Sequence, residues 1–539
     1  MVQNVMPFDY VVVGGGTAGA VVASRLTEDP KVSVLLLEAG PENNSYWSKV
    51  PLGFAKILFK PKYMWLDWKT QPDTSLGGKT YALPHGKVLG GSSSINGLVH
   101  VRGNPGDYNA WAEAGATGWD YHSVLSYFKK SEQDHRGQTE FHGGSGPFKV
   151  ELARWKNPLA DAFVEAAQQA LGIARNEDFN RDQIEGAGYW DLATWNGVRS
   201  STENTYLRNA RKRPNLHIIT EATVTKIGLE GKQATSVTYR RDGKLSTASA
   251  RREIVLSAGA LHTPQLLQVS GIGPGQRLQD LGIPVVHDLP GVGENLMDHA
   301  QYGVKFTTSS PDTFNKKVGN WFTQGFQGIK YYLLPRNGPI NIGASLAGAF
   351  LKTDPKATEP DLQLHFLPFM PGEKGWDLAN FSGFRLGMYQ GRPLSRGHAH
   401  ITSPSVDDSP DFIFNHLSHE ADQQVAVAGM RAAMKIAANM PAKFNIKQLE
   451  PGLNINDNEL LNYIKETTDT AFHFAGTTRM GSDDQAVVDP ELRVHGIKGL
   501  RVVDASVMPS QITANINPAV LMIGERGADL IKADARNKY

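Results

Sequence analysis

Hydrophobic and polar positions follow two regimes along this chain of 539 residues. Near the N-terminus, Phe8-Asp9-Tyr10-Val11-Val12-Val13 is a β-branched and aromatic run that stops at Gly14-Gly15-Gly16, the mark of a strand. Thr17 to Leu26 follows, with Ala18, Ala20, Val21, Val22, Ala23 and Leu26 small and apolar enough for a buried helix. A second run, Val32 to Leu37, ends on Glu38 and closes at Ala39-Gly40-Pro41. Nearly continuous apolar strands suit a parallel sheet covered on both faces, so residues 8–40 read as a βαβ unit. Residues 41–110 carry many aromatics and glycines with little period and predict mostly loop. Helices are predicted near 121–132 and 158–171, the second with Leu159, Ala160, Phe163, Val164, Ala167 and Leu171 at helical spacing. Strands near Leu216–Thr220 and Glu253–Ser257 return to the first sheet. From 300 to 465 the pattern changes to separated amphipathic strands with one helix near 420–439. Beyond 466 glycine and short apolar strands return, ending in a helix near 517–533.

Composition narrows the chemistry. Hydrophobic residues make up 40% and charged residues 20%, an ordinary globular balance. Lys and Arg (55) nearly cancel Asp and Glu (54), for a net charge of +1, so no basic face for nucleic acid is expected. The absence of cysteine excludes disulfides, thiolate metal sites and cysteine nucleophiles. Met1 to Asp9 lacks the pattern of a cleaved leader, and the first apolar run is of strand length, so no transmembrane segment is expected and the default location is cytoplasmic.

Gly14-Gly15-Gly16-Thr17-Ala18-Gly19 satisfies G-x-G-x-x-G between a strand and a helix. Gly14 permits the tight turn, Gly16 admits a pyrophosphate to the backbone, and Gly19 lets helix and strand pack closely. The helix N-terminus then turns unpaired N–H groups toward phosphate. Glu38 lies 24 residues beyond Gly14 (38 − 14), at the end of the second strand, where its carboxylate meets a ribose hydroxyl. This is a dinucleotide fingerprint; alone it does not separate NAD from FAD.

Three further segments, with a fourth shorter one, resemble the glucose–methanol–choline oxidoreductase family. They are Gly86-Lys87-Val88-Leu89-Gly90-Gly91-Ser92-Ser93-Ser94-Ile95-Asn96, the run Gly259 to Gly273, and His473-Phe474-Ala475-Gly476-Thr477-Thr478-Arg479-Met480-Gly481 with Val503 to Pro509. Pro290 to Leu296 with Asp298-His299 also fits. The motifs run in the family's order along essentially the whole chain. The resemblance implies an α/β fold (α+β overall): a Rossmann-like FAD-binding domain of discontinuous segments, 1–155, 200–300 and 466–539, with an antiparallel-sheet substrate lobe from 156–199 and 301–465.

It also implies FAD rather than NAD. Gly90 and Ser92 with neighbouring Leu89, and Asn96, Gly97, Leu98 and Val99, approach the flavin; Asp504 and Ala505 meet the pyrophosphate or ribityl region. Val224 contacts adenine through its backbone, Asn517 and Pro518 set the backbone at the pyrimidine end, and Thr17, Ala18 and Ala39 flank the fingerprint. Members that bond FAD covalently do so through a histidine where this chain has Ile95, so noncovalent FAD is expected. His100 stands where the family has an aromatic residue or alanine, with either a cavity-lining role or none.

Oxidising an alcohol needs an acceptor for hydride and a base for the hydroxyl proton. The resemblance gives the hydride to flavin N5 and makes His473 the general base, a residue type that titrates near neutrality. It places Asn515 at the substrate oxygen, where an amide donates but does not act as a base. Phe472, Phe474, Trp65 and Trp68 are candidate walls of the substrate pocket. In the stretch Asn341 to Phe350 no acid is found where choline-type members hold a quaternary ammonium; that position reads as Leu346, pointing to an uncharged alcohol. The expected activity is oxidation of a CH–OH group to an aldehyde or ketone. The identity of the alcohol, the choice between oxygen and a quinone or other carrier as acceptor, and oligomeric state stay open. The competing reading is an FAD-containing lyase of the hydroxynitrile type with a non-redox flavin. A photodecarboxylase and a noncatalytic flavoprotein rank below it, the first for want of its cysteine.

Overall fold

The computed structural model describes residues 3–333, 336–372 and 378–538. The βαβ unit forms from β1 (Gln3–Val13), α1 (Thr17–Leu26) and β2 (Val34–Leu37). Val11, Val12, Val34, Leu35, Leu36 and Leu37 are fully buried, as a parallel sheet covered on both faces requires. The tight turn works as glycine geometry demands: Gly14 has φ +99°, and a Cβ on Gly19 would stand 2.0 Å from the Gly14 carbonyl oxygen. Strand and helix therefore pack nearly backbone to backbone.

The first sheet has seven strands. Parallel pairing runs from β4 (Leu216–Ile219) through β2 and β1 to β7 (Lys244–Leu256), and β14 (Leu500–Val502) joins β7 in parallel from the far end of the chain. The strand expected near 253–257 is the last part of β7. Its first part pairs antiparallel with β6 (Gln233–Arg241), which turns back on β5 (Thr223–Glu230).

The second sheet is antiparallel throughout, in the order β12 (Lys447–Glu450), β8 (Ala300–Thr307), β11 (Gly383–Gln390), β10 (Leu362–Leu367), β9 (Ala347–Leu351) and β3 (Gly186–Tyr189); β13 (Asp469–Thr470) pairs with β8. Helices α3 (Pro158–Leu171) and α6 (Glu420–Ala438) pack against it. The other helices used below are α2 (Tyr121–Ser131), α4 (Gly259–Val269), α7 (Asp457–Thr467) and α8 (Asn517–Lys538). The amphipathic strands expected here differ from those found: every residue of β10 is buried. One face meets helices, and the other meets an internal cavity instead of bulk water. Helix α5 (Trp321–Leu333) and α7 were not expected, although each repeats apolar residues at helical spacing. Among the described residues, no helix is long and apolar enough to cross a membrane.

Candidate active site

A cavity of about 920 Å³ has walls drawn from both sheets. At one end Gly14, Gly16, Thr17 and Ala18 present the start of α1, whose capping residue Gly16 offers no side chain to its N–H groups. Glu38, Ala39, Val224, Ser92, Asn96, Gly97, Leu98, Val99, Asp504, Ala505, Asn515 and Asn517 complete the wall. Four residues expected at the cofactor lie behind it. Gly19 packs on β1, Gly90 donates to the Gly15 carbonyl at 2.7 Å, and Leu89 and Pro518 are buried. They shape the cradle from the second layer, because close packing rather than ligand contact is what their positions demand.

Burial pushes the Glu38 carboxyl up to about 7, although Gly40 and Gly15 donate their N–H groups to its two oxygens at 2.7 and 2.8 Å. Asp504 is also raised by burial while its oxygens accept from Gly259, Thr263 and Ser506. Thr17 donates through Oγ1 to Asn517 Oδ1 at 3.0 Å, so the starts of α1 and α8 meet at the cavity. An uncapped helix start, a buried acid at the end of β2 and glycine-cleared backbone suit a dinucleotide. The residues present fit FAD.

At the other end stands His473. The residue before it, Phe472, is held at φ +63°, a conformation costly for a bulky side chain. The turn is fixed on both sides: Asp298 Oδ1 accepts from His473 N at 2.7 Å, and Gln511 donates to the His473 carbonyl at 2.8 Å. The ring of His473 meets His299, Nδ1 to Nδ1, at 2.8 Å.

That contact has a determined polarity. His299 Nε2 lies 2.9 Å from the Gly391 carbonyl and 3.0 Å from that of Ile512. Carbonyl oxygens only accept, so Nε2 of His299 carries the proton and its Nδ1 accepts. His473 therefore donates from Nδ1, and its Nε2 keeps a free lone pair. Burial pushes His299 down to about 4, and burial with the neighbouring His299 and His365 pushes His473 well below the usual histidine range. Both rings are neutral near pH 7.

Asn515 is oriented by a second chain of the same kind. Tyr389 donates to Gln363 Oε1, so Gln363 Nε2 donates to Asn515 Oδ1 at 3.3 Å. The amide nitrogen of Asn515 then faces His473 Nε2 at 3.2 Å. Tyr389 also stacks on His299 with ring centres 4.3 Å apart. The segment carrying Asn515 is anchored by Asp107, which accepts from Thr513 N and Oγ1 at 2.8 and 2.7 Å.

The expected pocket residues divide. Phe472, Phe474, Trp65 and Trp68 line the cavity. Leu346 does not: it is fully buried in the core, with its carbonyl accepting from Trp190 N, and the pocket assignment is corrected to its neighbours Ala344 and Ser345, which reach the wall. His100 also stays out, stacking on Phe148 with its Nε2 3.7 Å from Glu132. Ile95 lines the cavity, packed with Ile57, Met64 and Val88. The sequence reading missed Gln363, Tyr389, Asp107, and the role of His299 beyond its motif; only the Asp298-His299 pair carried any signal.

The sequence model of the GMC oxidoreductase family matches residues 8–301 with its N-terminal part and 393–524 with its C-terminal part. The oxygen-dependent choline dehydrogenase of Pseudomonas putida is 42% identical over 538 residues, covering 97% of this chain and 94% of that protein. The enzyme of the same name from Vibrio vulnificus is 39% identical over 531 residues, with coverage of 97% and 94%. Among solved structures, pyridoxine 4-oxidase from Mesorbium loti superposes with a TM-score of 0.87 at 30% identity, over 97% of this chain and 98% of that one. A formate oxidase superposes at 0.90 with 27% identity, over the full length of both chains (100% and 100%).

Proposed function

The chain belongs to the GMC oxidoreductase family and is an FAD-dependent alcohol oxidoreductase, and from that premise we propose that His473 removes the hydroxyl proton of the substrate while Asn515 holds its oxygen. The observation that carries this reading is the tautomer relay. The carbonyls of Gly391 and Ile512 fix His299, His299 fixes His473, and the lone pair on His473 Nε2 is left in the cavity wall beside the Asn515 amide.

FAD, held along Gly14 to Ala18, Glu38, Asn96 to Val99 and Asp504, supplies the hydride acceptor when bound. The protein's own groups do the rest. The alcohol donates its hydroxyl to His473 Nε2 and transfers the proton there as the carbonyl forms and the carbinol hydrogen leaves with its electron pair. The Nδ2–H of Asn515 turns toward the oxygen as negative charge develops on it. The charge arriving on His473 is shared through its Nδ1–H with His299. Oxygen is the electron acceptor we favour, a reading supported by relatives named oxygen-dependent or oxidase. The cofactor is held noncovalently, since Ile95 in the cavity wall has no group to bond it; acid precipitation releases all the flavin, and colour left in the pellet contradicts this.

The test is anaerobic absorbance of the purified holoenzyme against a panel of alcohols, followed by air. Bleaching of the flavin supports oxidation of the alcohol, and rapid return of colour in air supports oxygen as acceptor. Slow return points to another carrier, and no bleaching by any alcohol overturns the reading.

A further inference from the structure

The second sheet turns one face to the cavity, and that face carries a cation the proton chemistry does not use. On β11, Arg385, Gly387 and Tyr389 share this face by strand alternation. Gly303 of β8 lies directly opposite Gly387. The two glycines leave the floor bare: a Cβ on Gly303 would stand 3.0 Å from Arg385 Nε. A Cβ on Gly387 would stand 3.9 Å from Arg385 Nε and 3.7 Å from Gln301 Nε2. The Arg385 side chain thus lies back across both glycines toward Gln301. Tyr389 is two residues further, on the order of 7 Å along the strand, and its ring centre is 5.5 Å from that of His473.

Among the described residues the Arg385 side chain has neither a hydrogen bond nor an ion pair, and its Nε is buried without a partner. The groups it feels, Tyr463, Asp469 and Glu450, act from a distance, and Glu450 is bonded to Lys305 at 2.7 Å. Burial lowers the Arg385 pKa from its usual value. Of the described acids in the cavity wall, Glu38 and Asp504 belong to the nucleotide end, Asp407 is paired with Arg240, and Asp67 is exposed. The side chain as a whole is half-buried and lines the cavity, so its guanidinium meets whatever fills that space, and its planar fork matches a carboxylate.

We propose that the alcohol oxidised by this enzyme carries a carboxylate a few bonds from its carbinol carbon, bound by Arg385 with the Gln301 amide beside it. This rests on the proton-transfer reading above and revises the uncharged substrate expected from the sequence. It also separates this chain from the choline-oxidising relatives, whose named substrate is a cation that Arg385 repels.

The test compares 4-hydroxybutyrate, its neutral congener 4-hydroxybutyramide, and choline, by anaerobic flavin reduction of the holoenzyme. The expected kcat/KM favours the carboxylate over the amide by about 10- to 100-fold, the range of a charged hydrogen bond. In Arg385→Gln that ratio falls to near one, and Arg385→Lys restores part of it. A native enzyme that prefers the amide or choline, or a ratio untouched in Arg385→Gln, overturns the proposal. If the variants do not fold, butyrate must inhibit reduction of the native enzyme by the amide competitively while butyramide does not; equal inhibition overturns it too. Failure of the underlying reading looks different: none of the alcohols bleaches the flavin.

Discussion

Two histidine pairs flank the same cavity, and their inner wiring is alike. His299 and His473 meet through Nδ1 atoms at 2.8 Å; His85 and His262 meet through Nε2 atoms at 2.9 Å. Each pair is pinned by a carbonyl, since His85 Nδ1 lies 2.7 Å from the Leu83 oxygen and must donate to it. Burial keeps both pairs neutral, with His85 pushed down to about 4 and His262 well below the usual range. They differ in what surrounds the outer ring. His473 turns its Nε2 lone pair to the Asn515 amide nitrogen, whereas His262 meets the Gln265 side chain and is crowded by Trp68 and Trp65, with ring centres 4.1 and 4.7 Å away. Neutrality and a locked tautomer are thus available to a packing histidine as well. A polar partner is available to both; a base also needs room for a substrate beside its lone pair, and at His262 the two indoles take that room.

Five measurements probe this difference. The largest effect is expected in His473→Ala, with flavin retained and reduction by alcohol slowed by roughly 10²–10⁴-fold. His262→Phe, which keeps a flat ring among the indoles, should lose at least tenfold less; equal losses would mean that both pairs serve the chemistry. Next comes His299→Phe, which removes the anchor of the tautomer. Reduction should slow by about 10- to 1000-fold without loss of flavin, because His473 can then place its proton on Nε2; an unchanged rate constant would break the relay. The pH profile sharpens the same point. A histidine with a lowered pKa works in its neutral form above that pKa, so reduction should stay level across neutral pH. It should fall only well to the acid side of the ordinary histidine value of about 6.5, declining further through about 4, where His299 protonates. A midpoint near 6.5 or above would contradict a buried neutral pair. The smallest effect is Asn515→Ala, a loss of about tenfold, the scale of one hydrogen bond to a charged oxygen; no loss at all would reduce Asn515 to a turn residue.

The nucleotide end was legible because its determinants are local. Gly14 to Gly19 lie within one turn, and Glu38 ends the strand next to it, so spacing along the chain equals spacing in the fold. The end that holds His473 is assembled across distance. Leu362-Gln363-Leu364-His365-Phe366-Leu367 has the period-two pattern of a strand with one face in water, and on that reading Gln363 and His365 are solvent-facing. They are buried, because that face looks into the cavity. Arg385 and Tyr389 are hidden by the same ambiguity: alternation reports which residues share a face, not whether the face meets bulk water or an internal chamber. His299 was visible as a motif residue, but its anchoring role needs Gly391 and Ile512, 92 and 213 residues away. Leu346 was misplaced for a related reason, since an apolar stretch leading into β9 does not reveal which of three consecutive residues reaches the wall.

The bond between Thr17 and Asn517 joins residues 500 positions apart. At ordinary rates of synthesis that interval takes roughly 25–100 s. For all that time the first βαβ unit has emerged from the ribosome without the strand and helix that finish its sheet and cradle. Cofactor loading is therefore a late event in the life of each molecule. Nascent chains arrested before residue 500 should bind no flavin, and flavin supply should govern how many completed chains escape proteolysis rather than how fast they are made.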